Sequence, residues 1–120
     1  MQIESAAQRT LVEKRWGHEE WIVNNDLYCG KRLYFKVERG HTSLHLHRNK
    51  HETMYVESGR FSISITDPAT AQESHHHLIA GDSIVIPPMT PHRIVALTAP
   101  SVLVEFSTHH EDSDSYRIVP

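Results

Sequence analysis

Strict two-residue alternation of apolar and polar side chains, in short runs cut off by turn residues, limits what this chain can fold into more than any other feature. In "FSISIT", Phe61, Ile63 and Ile65 take one parity and Ser62 and Ser64 the other. Successive side chains of a strand point to opposite faces, so such a run has one face for a core and one for solvent. "KRLYFKVERG" behaves alike: Leu33, Phe35 and Val37 fall on one side, Arg32, Tyr34 and Lys36 on the other. "SLHLH", "ETMYVESGR", "HHHLIA", "SIVI", "HRIVAL" and "SVLVEF" follow, separated by breaks such as "RNK", "DPATAQES", "PPMTPH" and "TAPS". Many short strands with turn signals between them predict an all-β sandwich or barrel. Helix is expected only as a turn or two near Ser5 to Leu11. The 120 residues suit one domain over 1–120, with an N-terminal arm at 1–10 and a polar C-terminal tail at 108–120.

Composition removes several function classes. A net charge of −3 exerts no long-range pull on nucleic acid or an anionic membrane, so neither is expected as a partner. Cys29 is the only cysteine, which rules out an intrachain disulfide and suits a reducing compartment. "MQIESAAQRT" has no apolar signal core and no apolar run approaches a membrane span, so the expectation is a cytoplasmic protein.

Eleven histidines are too many to pass over, and three fall in "HLHRNKHE". On a strand His45 and His47 share a face, opposite Leu44 and Leu46. Paired imidazoles are poor core residues, because each needs a partner when buried, and good ligands for Zn, Fe, Ni or Mn. Taken alone, the pair fits an exposed strand face better than a metal site. Glu52 follows a four-residue break, and a hairpin would return it beside His47. His92 opens a later strand after a Gly-to-Pro segment.

Gly40, His45, His47, Glu52 and Gly59, followed by Gly81, Pro87 and His92, resemble the two sequence motifs of the cupin superfamily. The resemblance implies a double-stranded β-helix, a jelly-roll-like barrel of two facing sheets. It also implies one divalent metal ion (Zn, Mn, Fe or Ni) held by His45, His47, Glu52 and His92. Three departures are visible: Met89 stands where the second motif usually has Gly, Ala96 where it often has Asn, and the spacer from Gly40 to His45 is one residue short. Three imidazoles and a carboxylate leave open coordination positions. Since ligating imidazoles must be neutral, affinity is expected to fall as pH drops through about 6.5.

The flanks are similar to the cupin half of type II mannose-6-phosphate isomerases. The matching elements are Arg15-Trp16-Gly17 (with Arg15 in place of Pro), the strand Trp21 to Val23, Lys31, the series Ser43, His45, His47, Lys50 and Glu52, and a tail with Glu105, Asp112, Asp114 and Arg117. This similarity implies a sugar or sugar-phosphate substrate and an aldose–ketose isomerase. Such chemistry needs a polarising cation, a proton carrier and a phosphate anchor. Glu105, in the apolar run "VLVEF", and Lys36 are the candidate catalytic bases. Lys50, Arg117 and Tyr34 are the candidate substrate contacts, with Tyr28 and Tyr55 as further cavity-wall candidates. Arg93 adjoins His92 but points the opposite way on a strand.

Two other functions fit the same ligand set: an Fe(II)-dependent cupin oxygenase and a non-catalytic small-molecule-binding cupin. No Gly-rich phosphate loop occurs to support nucleotide-sugar synthesis. Among the remaining histidines, His51, His75 to His77, His109 and His110 read as solvated, and His41 lies near the expected barrel mouth. Cys29, beside Gly30, reads as an inert turn residue. A strand edge left by the aromatic-rich N-terminal segment favours a homodimer.

Overall fold

The computed structural model describes all residues 1–120. Eleven strands are present: β1 (Thr10–Lys14), β2 (Gly17–Asn24), β3 (Cys29–Phe35), β4 (Leu44–His47), β5 (Glu52–Ser58), β6 (Arg60–Thr66), β7 (Glu73–Ile79), β8 (Ser83–Ile86), β9 (His92–Ala96), β10 (Ser101–Ser107) and β11 (Ser115–Val119). The only helical turns are short 3-10 segments at Ala6–Gln8 and Asp112–Asp114. No helix is long and apolar enough to cross a membrane.

The strands form a six-stranded sheet, β1-β2-β3-β10-β5-β8, facing a five-stranded sheet, β11-β4-β9-β6-β7. All pairings are antiparallel. The expected all-β, double-stranded β-helical sandwich is therefore what the chain forms. Phe35, Phe61, Ile63, Ile94, Ala96 and Leu103 seal its apolar core, each at most 1% exposed. Burying a side chain of the larger kinds stabilises by about 1.5–3 kcal/mol.

Alternation placed β3, β5, β6, β9 and β10 correctly, but the sequence reading missed two strands. β1 lies on an edge, so most of its residues stay exposed and its pattern carries little signal. β11 is exposed throughout and exists because it pairs with β4. The arm therefore ends before Thr10, and the tail is structured rather than loose. Cys29 is not in a turn; it opens β3 and is buried.

The inner faces change character along each strand. On β3 they run from Phe35 and Leu33 to Lys31; on β10 from Leu103 to Glu105; on β5 from Val56 and Met54 to Glu52. Lys31 pairs with Glu105, and Glu105 with Met54, in adjacent register. One half of the sandwich interior is thus apolar and the other half charged.

The two-residue Arg15-Trp16 turn joins β1 to β2. Gly17 is obligatory after it: φ is +152°, and a Cβ there would meet the Tyr34 carbonyl oxygen at 1.8 Å. Trp16 swings into the core and stacks on Phe35, 4.1 Å between ring centroids, which leaves Arg15 facing out over the charged end.

Candidate metal centre and its cavity

His45 and His92 are register partners on β4 and β9, so both rings leave one face of the five-stranded sheet. His47, two residues along β4, joins them, and the three side chains bring ligand atoms within 4.8 Å of one another. Glu52 approaches from the opposite sheet. A hairpin was expected to bring it beside His47, but β4 pairs with β9 and β11 while β5 pairs with β10 and β8. The chain crosses between sheets at residues 48–51, and Glu52 meets the histidines across the sandwich. Its Oε1 lies 3.0 Å from His92 Nε2 and 4.0 Å from His47 Nε2.

The donor chemistry fits a cation. His45 Nδ1 lies 2.9 Å from the Ser43 carbonyl oxygen, and His92 Nδ1 2.9 Å from that of Thr90. A carbonyl only accepts, so Nδ1 carries the proton and Nε2 offers a lone pair in each neutral ring. These second contacts orient a ligating imidazole. His92 Nε2, His47 Nδ1 and both Glu52 carboxylate oxygens are buried without a hydrogen bond. The Lys50 ammonium, 3.5 Å from Glu52 Oε2, offsets only part of this, and polar atoms packed without hydrogen bonds in the interior favour a further cation among them. His45, His47 and His92 could hold a metal ion, and Glu52 is placed to complete the set.

Burial, then the neighbouring His92, pushes the His45 pKa down to about 4. Burial likewise takes His47 to about 3, against the pull of Glu52. Both rings are therefore neutral, ligand-ready, well below the pH 6.5 expected from the sequence. Burial alone would raise the Glu52 carboxyl; a hydrogen bond from His92 in its doubly protonated form and the Lys50 ammonium overturn that and hold it at about 2, so it is ionised.

The centre faces a cavity of about 590 Å³, in which only four of 21 lining residues are hydrophobic. Lys50, a candidate substrate contact in the sequence, is 2% exposed. Its Nζ lies 2.5 Å from Glu105 Oε2, 3.5 Å from Glu52 Oε2 and 3.0 Å from His110 Nδ1. Burial works against its charge, but Glu105 and Glu52 outweigh that and hold the ammonium above its ordinary pKa. Glu105 is buried in the cavity wall, and its Oε2 also accepts from Ser107 Oγ at 3.0 Å.

Two expected site residues lie elsewhere. Tyr34 is on the outer face of β3, stacked on His18, and Lys36 is exposed beyond the end of β3, 6.0 Å from the Tyr34 ring. The parity was read correctly, but the cavity faces the Leu33 side. The lysine that shares this side is Lys31, 2% exposed, 3.5 Å from Glu19 Oε1 and 4.3 Å above the Trp21 ring. Tyr28 and Tyr55 are also exposed and outside the cavity wall. Arg93 points away from the cavity and bonds the Thr42 and Pro120 carbonyls. Arg117 sits opposite His45 on β11 and lines the mouth, as does His41.

His110 was expected to be solvated and is instead half-buried in the cavity wall. Asn24 clasps its backbone with two hydrogen bonds, 3.0 and 2.9 Å. Because the Lys50 ammonium only donates, His110 Nδ1 accepts, and Nε2–H donates to Asp112 Oδ1 at 2.9 Å. Burial, with the positive Lys50 and Lys31, lowers the His110 pKa. Nothing local in "STHHEDSD" marks this residue; its place depends on Asn24, far away in sequence.

Asp114 anchors the same segment. Its carboxylate accepts the backbone N–H of Arg48 (3.0 Å), Asn49 (3.0 and 3.2 Å) and Lys50 (3.1 Å). The crossing that joins His47 to Glu52 is therefore tied down by the C-terminal segment.

The family model of the cupin domain, Cupin_2, matches residues 33–106. The chain is a cupin. No curated protein matches it in sequence. Solved structures similar to this cupin include the capsular polysaccharide assembling protein CapF from Staphylococcus aureus, at TM-score 0.82 and 17% identity, covering 93% of this chain and 33% of CapF. Oxalate decarboxylase from Bacillus subtilis is similar at TM-score 0.85 and 16% identity, covering 96% of this chain and 31% of the decarboxylase. KdgF from Halomonas sp. gives TM-score 0.76 and 17% identity, covering 91% of this chain and 94% of KdgF. The cupin thus spans about a third of the first two proteins and nearly all of the third. At these identities the likeness is one of fold.

Proposed function

We propose that this cupin is a metal-dependent aldose–ketose isomerase of a sugar or sugar phosphate, with His45, His47, Glu52 and His92 as ligands of one divalent ion. The observation that carries this reading is the shared cavity: the candidate centre and the ionisable groups of Glu105, Lys50 and His110 line one mostly polar space. A polar wall suits a polyhydroxylated ligand better than an apolar one. The bound ion would supply polarisation of a carbonyl and its neighbouring hydroxyl. Glu105 would carry the proton between adjacent carbons, and Lys50 would hold that carboxylate in place. Lys31 takes over the cavity position for which the sequence had offered Lys36. Similarity of the flanks to type II mannose-6-phosphate isomerases supports the same substrate class. Assembly as a homodimer through an edge strand, β1 being one, belongs to this proposal.

The test is incubation of the metal-loaded protein with mannose 6-phosphate in deuterated, oxygen-free buffer. Proton NMR should show ketose formation with deuterium entering at the carbon next to the carbonyl, and chelation should stop it. Turnover that requires oxygen would replace the proposal with an oxygenase. Thermal stabilisation by the sugar with no exchange would replace it with a binding module.

A further inference from the structure

The charges around the cavity are not evenly matched. Its lining includes five lysines and arginines against four acidic side chains, in a chain whose net charge is −3. The deep charges are matched locally: Lys31 with Glu19, and Lys50 with Glu52 and Glu105. At the mouth, the sole acidic side chain, Asp112, already accepts from His110, and the Pro120 oxygen accepts from Arg93. Lys14, Arg15 and Arg117 are left. All three are exposed, line the mouth, and make no ion pair or side-chain hydrogen bond.

They arrive from opposite walls. Lys14 ends β1 and Arg15 occupies the two-residue turn whose other member, Trp16, is locked against Phe35. Arg117 stands across from His45 on β11, on the face that also carries the candidate ligands. Lys14 also steadies the Glu19 and Asp112 carboxylates from a distance, and like charges gathered around one mouth attract anions.

We propose that Lys14, Arg15 and Arg117 form an anion-binding subsite at the cavity mouth that takes the phosphate group of a phosphorylated small molecule whose other end reaches the candidate metal centre. Guanidinium groups suit phosphate oxygens because they donate two parallel hydrogen bonds. The subsite stands on the charges alone and rests on the isomerase reading only for the sugar.

Calorimetric titration of the full chain with inorganic phosphate, with and without chelator, tests the site. Saturable binding that weakens with added salt is expected, and Arg117→Gln and Arg15→Gln should each weaken it about tenfold. Lys36→Gln, which removes an exposed charge outside the cavity, should leave it unchanged. Mannose 6-phosphate should bind more tightly than either phosphate or mannose, with the same dependence on both arginines. No saturable binding, or equal weakening by Lys36→Gln, would overturn the subsite. So would binding that vanishes with chelator and ignores the arginine variants, because phosphate would then sit on the metal. Arginine-dependent binding of mannose 6-phosphate without isomerisation would uphold the subsite and refute only the reaction.

Discussion

Replacing Asp114 with alanine should reveal how strongly the C-terminal segment holds the metal-ligand crossing. The carboxylate accepts three backbone N–H groups, at 3.0 to 3.2 Å. A hydrogen bond to a charged acceptor contributes about 1.5–3 kcal/mol, and stranding a buried donor costs about 1–3 kcal/mol. Arg48 and Asn49 are exposed, so water can replace the carboxylate at their amides, whereas Lys50 is buried. Counting the Lys50 amide in full and the other two at roughly half a kilocalorie to one each gives a loss of about 2.5–5 kcal/mol for Asp114→Ala. For a domain of this size that corresponds to a fall in Tm of roughly 10–20 °C. Asp114→Asn keeps one acceptor oxygen and should lose about half as much. Urea denaturation gives the free energy, and amide hydrogen exchange gives the location: Arg48, Asn49 and Lys50 should lose protection before the core strands do. A change in stability below about 0.5 kcal/mol, the scale of an ordinary surface substitution, would refute the reasoning. So would unchanged protection of those three amides.

Two further outcomes follow from the site and its flanks. His45 and His47 take up a proton near pH 6.5 when unfolded but only near 4 and 3 when folded. Between those values the unfolded chain holds more protons, so stability of the metal-free protein should fall as pH falls, by about 3 kcal/mol or more from each ring. Glu52, held at about 2, adds stability above pH 4.5 that is lost on the way down. Denaturation midpoints should decline steadily from pH 6.5 to 4, and metal should be retained at pH 5; loss of the ion already at pH 6 would contradict the burial argument. Met89 has φ +63°, a left-handed conformation, and is half exposed. Met89→Gly relieves a penalty of about 1–2 kcal/mol and adds unfolded-state entropy of about 0.5–1 kcal/mol. A gain of up to about 1 kcal/mol is expected from thermal melts, and a loss would show that the Met89 side chain contributes packing of its own.

The same φ explains one departure from the cupin motif. Glycine is usual at that position because the chain there must turn left-handed to give its N–H to the His47 carbonyl, 2.7 Å away. Legibility of the rest varied for physical reasons. The pair His45 and His47, with Glu52 and His92, was visible because ligand chemistry imposes residue type and parity together. The strands that bury a full face were visible because burial imposes alternation. Edge strands β1 and β11 were not, because pairing through the backbone asks little of the side chains. Lys31 entered only as an element of the family likeness, and Lys36 was preferred as a base, because parity alone does not say which face meets the cavity. His110 and Asp114 belong to a segment that reads as polar tail, and only contacts with Asn24 and the 48–50 backbone, more than sixty residues away, give them a place.

The crossing at residues 48–51 has a mechanical meaning. Three of the four candidate ligands stand on one sheet and Glu52 alone on the other. With an ion held there, the centre would act as a rivet through the sandwich, and Glu52 would be its single fastening on the six-stranded side. Lys50 grips the same carboxylate from within the cavity. A ligand that draws Lys50 toward itself would tighten or slacken that fastening, so occupancy of the cavity and stiffness between the two sheets become one variable.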